Sequence, residues 1–583
     1  MGLGFTLDTP YRVSPYGISS VISLVDDGLM EKMRRYFSEQ LNLPYEPISH
    51  KETDYRAARI TAYLNLMDEM VREKFQALKD SIHSHRTEFE KYIALLPDVS
   101  ELKKRFEDFI IQNSSSQALY EWAERNLSAG SIDVNIMTKL DRDIHVGDEK
   151  LPVEFNDAHA ALRGFAQSKL NSSLVLSAGM NPRLYNYLEN FEDFYPTEEG
   201  HLKKMIILKV SDFRSANIQG KYLAKKGIWV SEYRIESGLN CGGHAFATDG
   251  HLMGPILQEF KEKRELLIAE TFDVLTAALK RKELPCPASP LPVKITAQGG
   301  VGTASEHNFL MDFYELDSIG WGSPFLLVPE AVSLDEPTRE LLCRAKESDL
   351  YLSGISPLGV PFNSVRNNSK DIEKQALIDA GKPGSHCPKK YACIISEFGV
   401  DGICSASRQY QRLKIQELDT LELSPEKRQK EFDKIVEKAC ICLGLGTSML
   451  IEHNIDTRQE GNGVSVCPGP NLAYFDKTVS LQEMVDHIYG RTNIISRTDR
   501  PHLFIKELEL YINYLNAHIE DTEKPMTEKQ VKHFENFREN LLSGVEYYKN
   551  LYADANLFAK ENLSLIRQKL DQLSGSLAVI PIH

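Results

Sequence analysis

The stretch Ile228-Trp-Val-Ser-Glu-Tyr-Arg-Ile235 runs directly into Glu236-Ser-Gly-Leu-Asn-Cys-Gly-Gly-His244. The first eight residues read as a strand, rich in aromatic and β-branched side chains. Gly242 and Gly243 carry no Cβ, so a flat ligand can approach the backbone closely there. His244 then stands at the carboxyl end of the strand, where α/β proteins place their chemistry. Two glycine-rich segments follow downstream, Ala297-Gln-Gly-Gly-Val-Gly302 and Gly320-Trp-Gly-Ser-Pro-Phe325.

Working outward, residues 11–25 read as a strand with a glycine turn. Further strands are expected at 131–137, 173–177, 204–210, 293–296 and 317–320. Amphipathic helical patterns lie between them, as at 158–170 and 252–280. Short apolar strands alternating with helices imply a parallel sheet with helical crossovers. So many units favour a closed (β/α)8 TIM barrel over an open sheet, although alternation alone does not separate the two. The expected organisation is an α/β barrel from residues 1–28 and 129–330. A helical insertion after the first strand, 29–128, interrupts it. A loop-rich region containing cysteines, 331–499, and a helical C-terminal bundle, 500–583, complete the chain. The bundle is expected to pack on the barrel or to form a homodimer surface.

Composition narrows the function classes. At 583 residues with a formal net charge of −15, the chain is a poor partner for nucleic acid. Its 42% hydrophobic and 26% charged residues are ordinary for a globular protein. No run approaches the ~18 apolar residues of a membrane span, and the N-terminus has no basic start or apolar run of a secretory signal. Nine cysteines, an odd number, suggest reduced thiols and a cytoplasmic setting.

The glycine turn at 298–302 sits between a strand and a helix start near Ala304, a geometry in which backbone N–H groups and the helix dipole hold a phosphate. The alternative is a tight βα turn that binds nothing. The turn at 320–325 repeats the arrangement, as in the late phosphate site of TIM barrels. With these turns the chain resembles the FMN-dependent nitronate monooxygenases and their relatives, the flavin-dependent enoyl-acyl-carrier-protein reductases. The resemblance rests on Ser14-Pro-Tyr-Gly17, Asp133-Val-Asn-Ile136, Ser177-Ala-Gly-Met-Asn-Pro182, Asn240-Cys-Gly-Gly-His244, Pro292-Val-Lys-Ile-Thr-Ala-Gln-Gly-Gly-Val301 and Gly322-Ser-Pro-Phe325, in that order over residues 10–330. It implies FMN, with the N–H groups of Gly299, Gly300, Gly322 and Ser323 on its phosphate. Asn135 and Lys209 would lie against the isoalloxazine, Gly242 and Gly243 beside it, and His244 would be the acid/base or orienting group. A cation such as Lys209 stabilises reduced, anionic flavin; the alternative is a strand-end lysine reaching solvent.

The chain departs from that pattern at Cys241, where a small apolar residue is usual, and in its long insertion and tail. Its cysteine-rich region raises a second chemistry. His386-Cys-Pro-Lys-Lys-Tyr-Ala-Cys393 is followed by Cys404, Cys440-Ile-Cys442 and Val466-Cys-Pro-Gly-Pro470. Cys393, Cys404, Cys440, Cys442 and Cys467 are candidate ligands of an iron–sulfur cluster. The alternative is buried, reduced cysteines beside turn prolines. The segment Ser356-Pro-Leu-Gly-Val-Pro-Phe-Asn363 reads as a lid or a linker. The leading expectation is an FMN-dependent oxidoreductase of the nitronate monooxygenase-like class, acting on a small molecule with a nicotinamide or ferredoxin-type donor. The alternatives are a flavin-dependent enoyl reductase, an iron–sulfur flavoprotein and a non-catalytic barrel scaffold.

Overall fold

Seven parallel strands form one sheet: β1 (Ser20–Ser23), β2 (Ile132–Ile136), β3 (Ser172–Leu176), β4 (Lys204–Val210), β5 (Val230–Glu236), β6 (Lys294–Gln298) and β7 (Ser318–Gly320). They pair in chain order, β1 through β7. The computed structural model describes residues 4–112, 115–147, 149–177, 179–554 and 563–582. Ala178, within the quoted 177–182 turn, lies outside the described residues. Central strands such as β3 are buried along their whole length, as strands covered on both faces must be.

The expected closed TIM barrel is corrected by this topology. The sheet is a curled half-barrel, and among the described residues β1 and β7 pair neither with each other nor with an eighth strand. The reason lies in the first residues. Pro10 sits in the first turn of a helix, Thr9–Val13, and Pro15 in a 3-10 turn, Ser14–Tyr16, so most of the 11–25 stretch is not strand. Proline lacks the N–H a ladder needs, and its fixed φ suits a helix start. At the opposite edge, Pro324 begins another 3-10 turn, Ser323–Leu327, only three residues beyond the end of β7. Where a strand would close the barrel, isolated hydrogen bonds join the two ends of this unit. Thr9 Oγ1 donates to the Ala331 carbonyl at 2.6 Å, Arg12 Nη1 to that of Pro329 at 2.9 Å, and the Ser333 N–H to that of Phe5 at 3.1 Å.

Among the described residues, five α-helices lie between β1 and β2. The first, α1 (Asp27–Gln40), is capped by Asp26, whose carboxylate accepts the Leu29 N–H. The second, α2 (Tyr55–Asp80), turns Ile60, Tyr63, Leu64 and Met67 completely into the core shared with the sheet. Crossover helices α3 (Asp157–Ala166), α4 (Phe213–Ala224), α5 (Met253–Arg281) and α6 (Ala304–Phe313) cover the strands. After α7 (Ile441–Glu452), the tail forms α8 (Leu503–Asp521), α9 (Glu528–Leu551) and α10 (Leu563–Ala578). The tail packs into the same core, with Phe504 stacked on Tyr548 at 4.8 Å. No helix of the described residues is long and apolar enough to cross a membrane.

One buried ion pair joins the tail to the half-barrel. Glu306, in the first turn of α6, meets Arg500 through both carboxylate oxygens at 2.8 Å. Arg500 also donates to the Gly300 carbonyl at 2.8 Å and to Asn471 Oδ1 at 2.9 Å. Breaking a buried pair from one side leaves a charge without its partner and costs about 3–5 kcal/mol. Arg500→Ala is therefore expected to lower the denaturant midpoint sharply. Arg500→Lys, which keeps the charge but not the planar fork, should recover only part of the loss. Equal midpoints for Arg500→Ala and wild type would show that the pair is not a structural clamp.

Candidate functional site at the carboxyl ends of the strands

The loop leaving β5 is shaped by close backbone approach. A Cβ on Gly238 would stand 2.0 Å from the Phe246 carbonyl oxygen, and the Phe246 N–H donates to the Gly238 carbonyl at 2.9 Å. Gly243 adopts φ +80°, a left-handed turn that glycine adopts freely. Just beyond it the chain is gripped by a hairpin of two strands, Leu350–Ser353 and Phe362–Val365. The Asn363 N–H donates to the Gly243 carbonyl and the Ala245 N–H to the Pro361 carbonyl, both at 2.9 Å. The 356–363 segment thus spans most of the hairpin turn and the start of its second strand, and covers the histidine. His244 Nε2 lies 2.7 Å from Ser356 Oγ, and its ring meets Phe362 edge-on at 4.9 Å. Burial pushes the imidazole down to about 4, assisted by the nearby charges of Lys209 and Lys139.

His244 borders a cavity of about 60 Å³. Ser23 at the end of β1 and Val25 just beyond it, Met137 and Leu140 beyond β2, Ser356 and Leu358 of the hairpin turn, and Ile441 and Cys442 of α7 supply much of its lining, which is mostly apolar. The position is the one a parallel sheet offers a ligand, outside the carboxyl ends of its strands.

The other expected site residues fall around this mouth. Lys209 of β4 is tied to Glu236 of β5 at 2.9 Å, and Glu236 also accepts from Gln298 of β6, so three strand ends share one polar row. Asn135 of β2 has a buried side-chain oxygen with no hydrogen-bond partner. Gly299 and Gly300 take φ +119° and +75°; their missing Cβ atoms would strike Cys241 and Asn240. The Gly302 N–H is already given to Glu306 at 2.9 Å. Gly322 caps the 3-10 turn that follows β7. Ser323 Oγ accepts the Gly469 N–H at 2.7 Å, leaving the hydroxyl proton free to donate. A Cβ on Gly242 would stand 2.5 Å from the Cys467 carbonyl, so the close approach at this glycine is to residues 467–469. Cys241 is half-buried and donates to the Gln298 carbonyl at 3.5 Å, between β5 and β6. An orphaned Asn135 amide oxygen and an unspent Ser323 proton fit a polar-rimmed flat ring and a phosphate, respectively. Glu306, in contrast, fills the anion position at Gly302 itself.

The cysteines separate into two groups. Cys393 and Cys404 share one small buried cluster, with Cys442 packed against it. Cys387 joins them: its sulfur interacts with those of Cys393 and Cys440, which hold its thiol far below the usual range. Cys467 stands apart, in a cluster with Ile355, Phe362, Ala439 and Ile441. Cys387 was absent from the candidates read by spacing, and so was Ser356. The Cys-Pro step at 387–388 was the available signal for the first; nothing local marked the second. Among the described residues, no group of three His, Cys, Asp or Glu side chains stands ready for a single metal ion.

No protein-family model matches the chain, and no curated protein does. Among solved structures, a similar chain is the enoyl reductase domain of MlnA from the macrolactin biosynthesis cluster of Bacillus amyloliquefaciens. It is 16% identical, with 69% of this chain and 87% of that chain covered and a TM-score of 0.33. So distant a likeness carries no functional argument.

Beneath the histidine loop lies a second buried acid. Glu507 of α8 accepts from Ser237 Oγ at 2.5 Å, the Met253 N–H at 3.0 Å and Tyr548 OH at 3.2 Å. Burial raises its carboxyl from 4.5 to about 7. Between those values the folded protein keeps a proton that the unfolded chain releases, so this contribution to stability is present at low pH and lost as pH rises through 7. The wild type should therefore lose stability relative to Glu507→Gln between pH 5 and pH 8, by on the order of 3 kcal/mol. Denaturant titrations at the two pH values measure this, and a pH-independent difference would remove Glu507 as the titrating group.

Proposed function

We propose that this chain is an oxidoreductase acting on a small, largely apolar organic substrate, with FMN as its redox group. The observation that carries the reading is a half-buried histidine facing an apolar cavity at the carboxyl ends of the parallel strands. Asn135 would meet the polar edge of the flavin ring, Lys209 would lie beside it, and Gly299, Gly300, Gly322 and Ser323 would face its phosphate. When bound, the flavin supplies transfer of a hydride or an electron pair.

The chain's own residues orient the substrate. Ser356 Oγ accepts the Leu358 N–H at 3.2 Å, and in this reading it gives its own proton to His244 Nε2, 2.7 Å away. In that tautomer the ring proton sits on Nδ1, and the neutral imidazole acts as a hydrogen-bond donor more than a base. A donor of this kind polarises a carbonyl or nitro oxygen without first having to lose charge. The apolar lining favours the uncharged end of a conjugated enoyl compound over an anionic nitronate. Water is limited by the hairpin turn that lies over the cavity.

Two measurements test this. Denaturation of the purified protein should release FMN; a colourless protein that also fails to bind added FMN would instead favour the scaffold reading. With a short enoyl thioester as substrate, His244→Ala should lower kcat/KM by about 10²-fold. The acid limb of the wild-type profile should fall near pH 4, because the histidine must stay neutral. A limb near the ordinary histidine value of 6.5, or faster turnover of an alkyl nitronate, would overturn this assignment of roles.

A further inference from the structure

The loop that carries His244, residues 237–252 between β5 and α5, is held at both ends by one side chain of the C-terminal bundle. Glu507 of α8 accepts the Ser237 hydroxyl through Oε1 at 2.5 Å and the Met253 N–H through Oε2 at 3.0 Å. Tyr548 of α9 also donates to Oε2, at 3.2 Å. Ser237 is the first residue after β5 and Met253 the first of α5, so a single carboxyl group closes the base of the loop.

The same two helices hold the loop along its length. Thr248 Oγ1 gives its one proton to the His251 carbonyl at 2.7 Å, which leaves Tyr511 of α8 as the donor in the 2.6 Å contact between the two hydroxyls. Asn540 of α9 donates to the Asp249 carbonyl at 2.8 Å. Thr248 and Asp249 take φ of +34° and +48°, which L side chains adopt rarely and β-branched ones least of all. Such a turn persists only where its surroundings over-determine it, and here the tail supplies those surroundings. At Gly250 a Cβ would stand 2.5 Å from the Phe537 carbonyl oxygen of α9, so loop and tail meet backbone to backbone.

We propose that Glu507 is a positioning residue for His244, fixing through Ser237 and Met253 where the imidazole stands against the cavity. Ser237 Oγ also accepts the Asn240 N–H at 3.4 Å, which carries the contact towards the histidine. An ionised Glu507 takes the Ser237 proton; a protonated one gives its own proton to Ser237 Oγ, and the serine hydroxyl must turn. One proton at Glu507 thus reverses the hydrogen bond at the first residue of the loop. The titratable groups facing it are Tyr548 of α9, Tyr511 of its own helix, Tyr314 after α6, and Cys241 of the loop. Desolvation above all, with the charge of Glu507 adding to it, pushes all four upward, so they stay protonated. Glu507, raised by burial to about 7, is the member of this set that changes charge near neutrality. The consequence for catalysis rests on the oxidoreductase reading; the coupling of Glu507 to the ring does not.

NMR of the full chain, isotope-labelled at histidine Cε1, tests the coupling, with the His244 signal identified by its loss in His244→Gln. In the wild type that signal should shift with a midpoint near pH 7, clear of the ring's own titration near pH 4. Glu507→Gln, whose amide gives Ser237 Oγ a permanent proton, should abolish the step. Ser237→Ala, which cuts this tether and leaves the acid, should shrink it several-fold. Thermal unfolding of both variants confirms that each is folded when compared. His251, exposed on the same loop, is present in all three proteins, so a step that survives Glu507→Gln would overturn the assignment. A wild-type signal that stays flat between pH 6 and pH 8 would overturn it without any variant. With the enoyl thioester, Glu507→Gln should lower kcat by about 10-fold and leave KM within about twofold, as when a reacting group is displaced and substrate binding is not. An unchanged kcat would overturn the catalytic consequence. Absence of turnover in the wild type would remove the oxidoreductase reading instead, and the ring signal alone then decides the positioning role.

Discussion

The Glu306–Arg500 pair is the constraint on which the mouth of the half-barrel depends. Burial works against the charge of Glu306, but Arg500, His502 and the Gly302 N–H together hold its carboxyl below the ordinary range. The carboxylate further accepts the Leu503 N–H at 2.8 Å. A single ion pair therefore fixes the turn after β6, the start of α8 and the segment at Asn471. In a low-dielectric interior such a group is tolerated only when all its partners are in place. The tail is thus built into the architecture, and the shape of the site follows from its seating.

Above that clamp, the site is assembled from distant parts of the chain. His244 comes from the loop after β5, Ser356 from a hairpin more than a hundred residues later, and Cys442 from the first turn of α7. Glycines make the approach between segments feasible. At Gly242 the Cys467 carbonyl lies where a Cβ would be, and at Gly4 the backbone of Leu445 and Gly446 does so. Side chains at those positions would separate the walls and open the cavity to water.

The apolar enclosure also changes the chemistry of its one histidine. In water an imidazole titrates near neutrality; here desolvation and two lysines keep it neutral well into acid. The same enclosure would strengthen any hydrogen bond it donates, because competing water is limited. Polar groups left without partners, such as the Asn135 oxygen, mark where the protein has not satisfied itself.

How much of this was legible in the sequence depends on the range of the interaction. Strand and turn patterns are local, so Val230–Glu236, Lys294–Gln298 and the glycine turn between β6 and α6 were readable from side-chain types and missing Cβ atoms. Closure was not. Whether a parallel sheet meets itself depends on an eighth strand and on pairing between edges far apart in sequence, and Pro10, Pro15 and Pro324 redirect those edges into helical turns. The cysteines repeat the lesson. Spacing alone grouped Cys467 with Cys393 and Cys404, and passed over Cys387. The tertiary structure places Cys393 and Cys404 in one buried cluster and Cys467 in another, a separation that spacing along the chain does not carry. By itself the sequence determined which segments alternate and where the backbone can turn or approach closely. Only the tertiary structure decided which side chains share a cavity, since burial and contact are properties of the assembled core and not of neighbours along the chain.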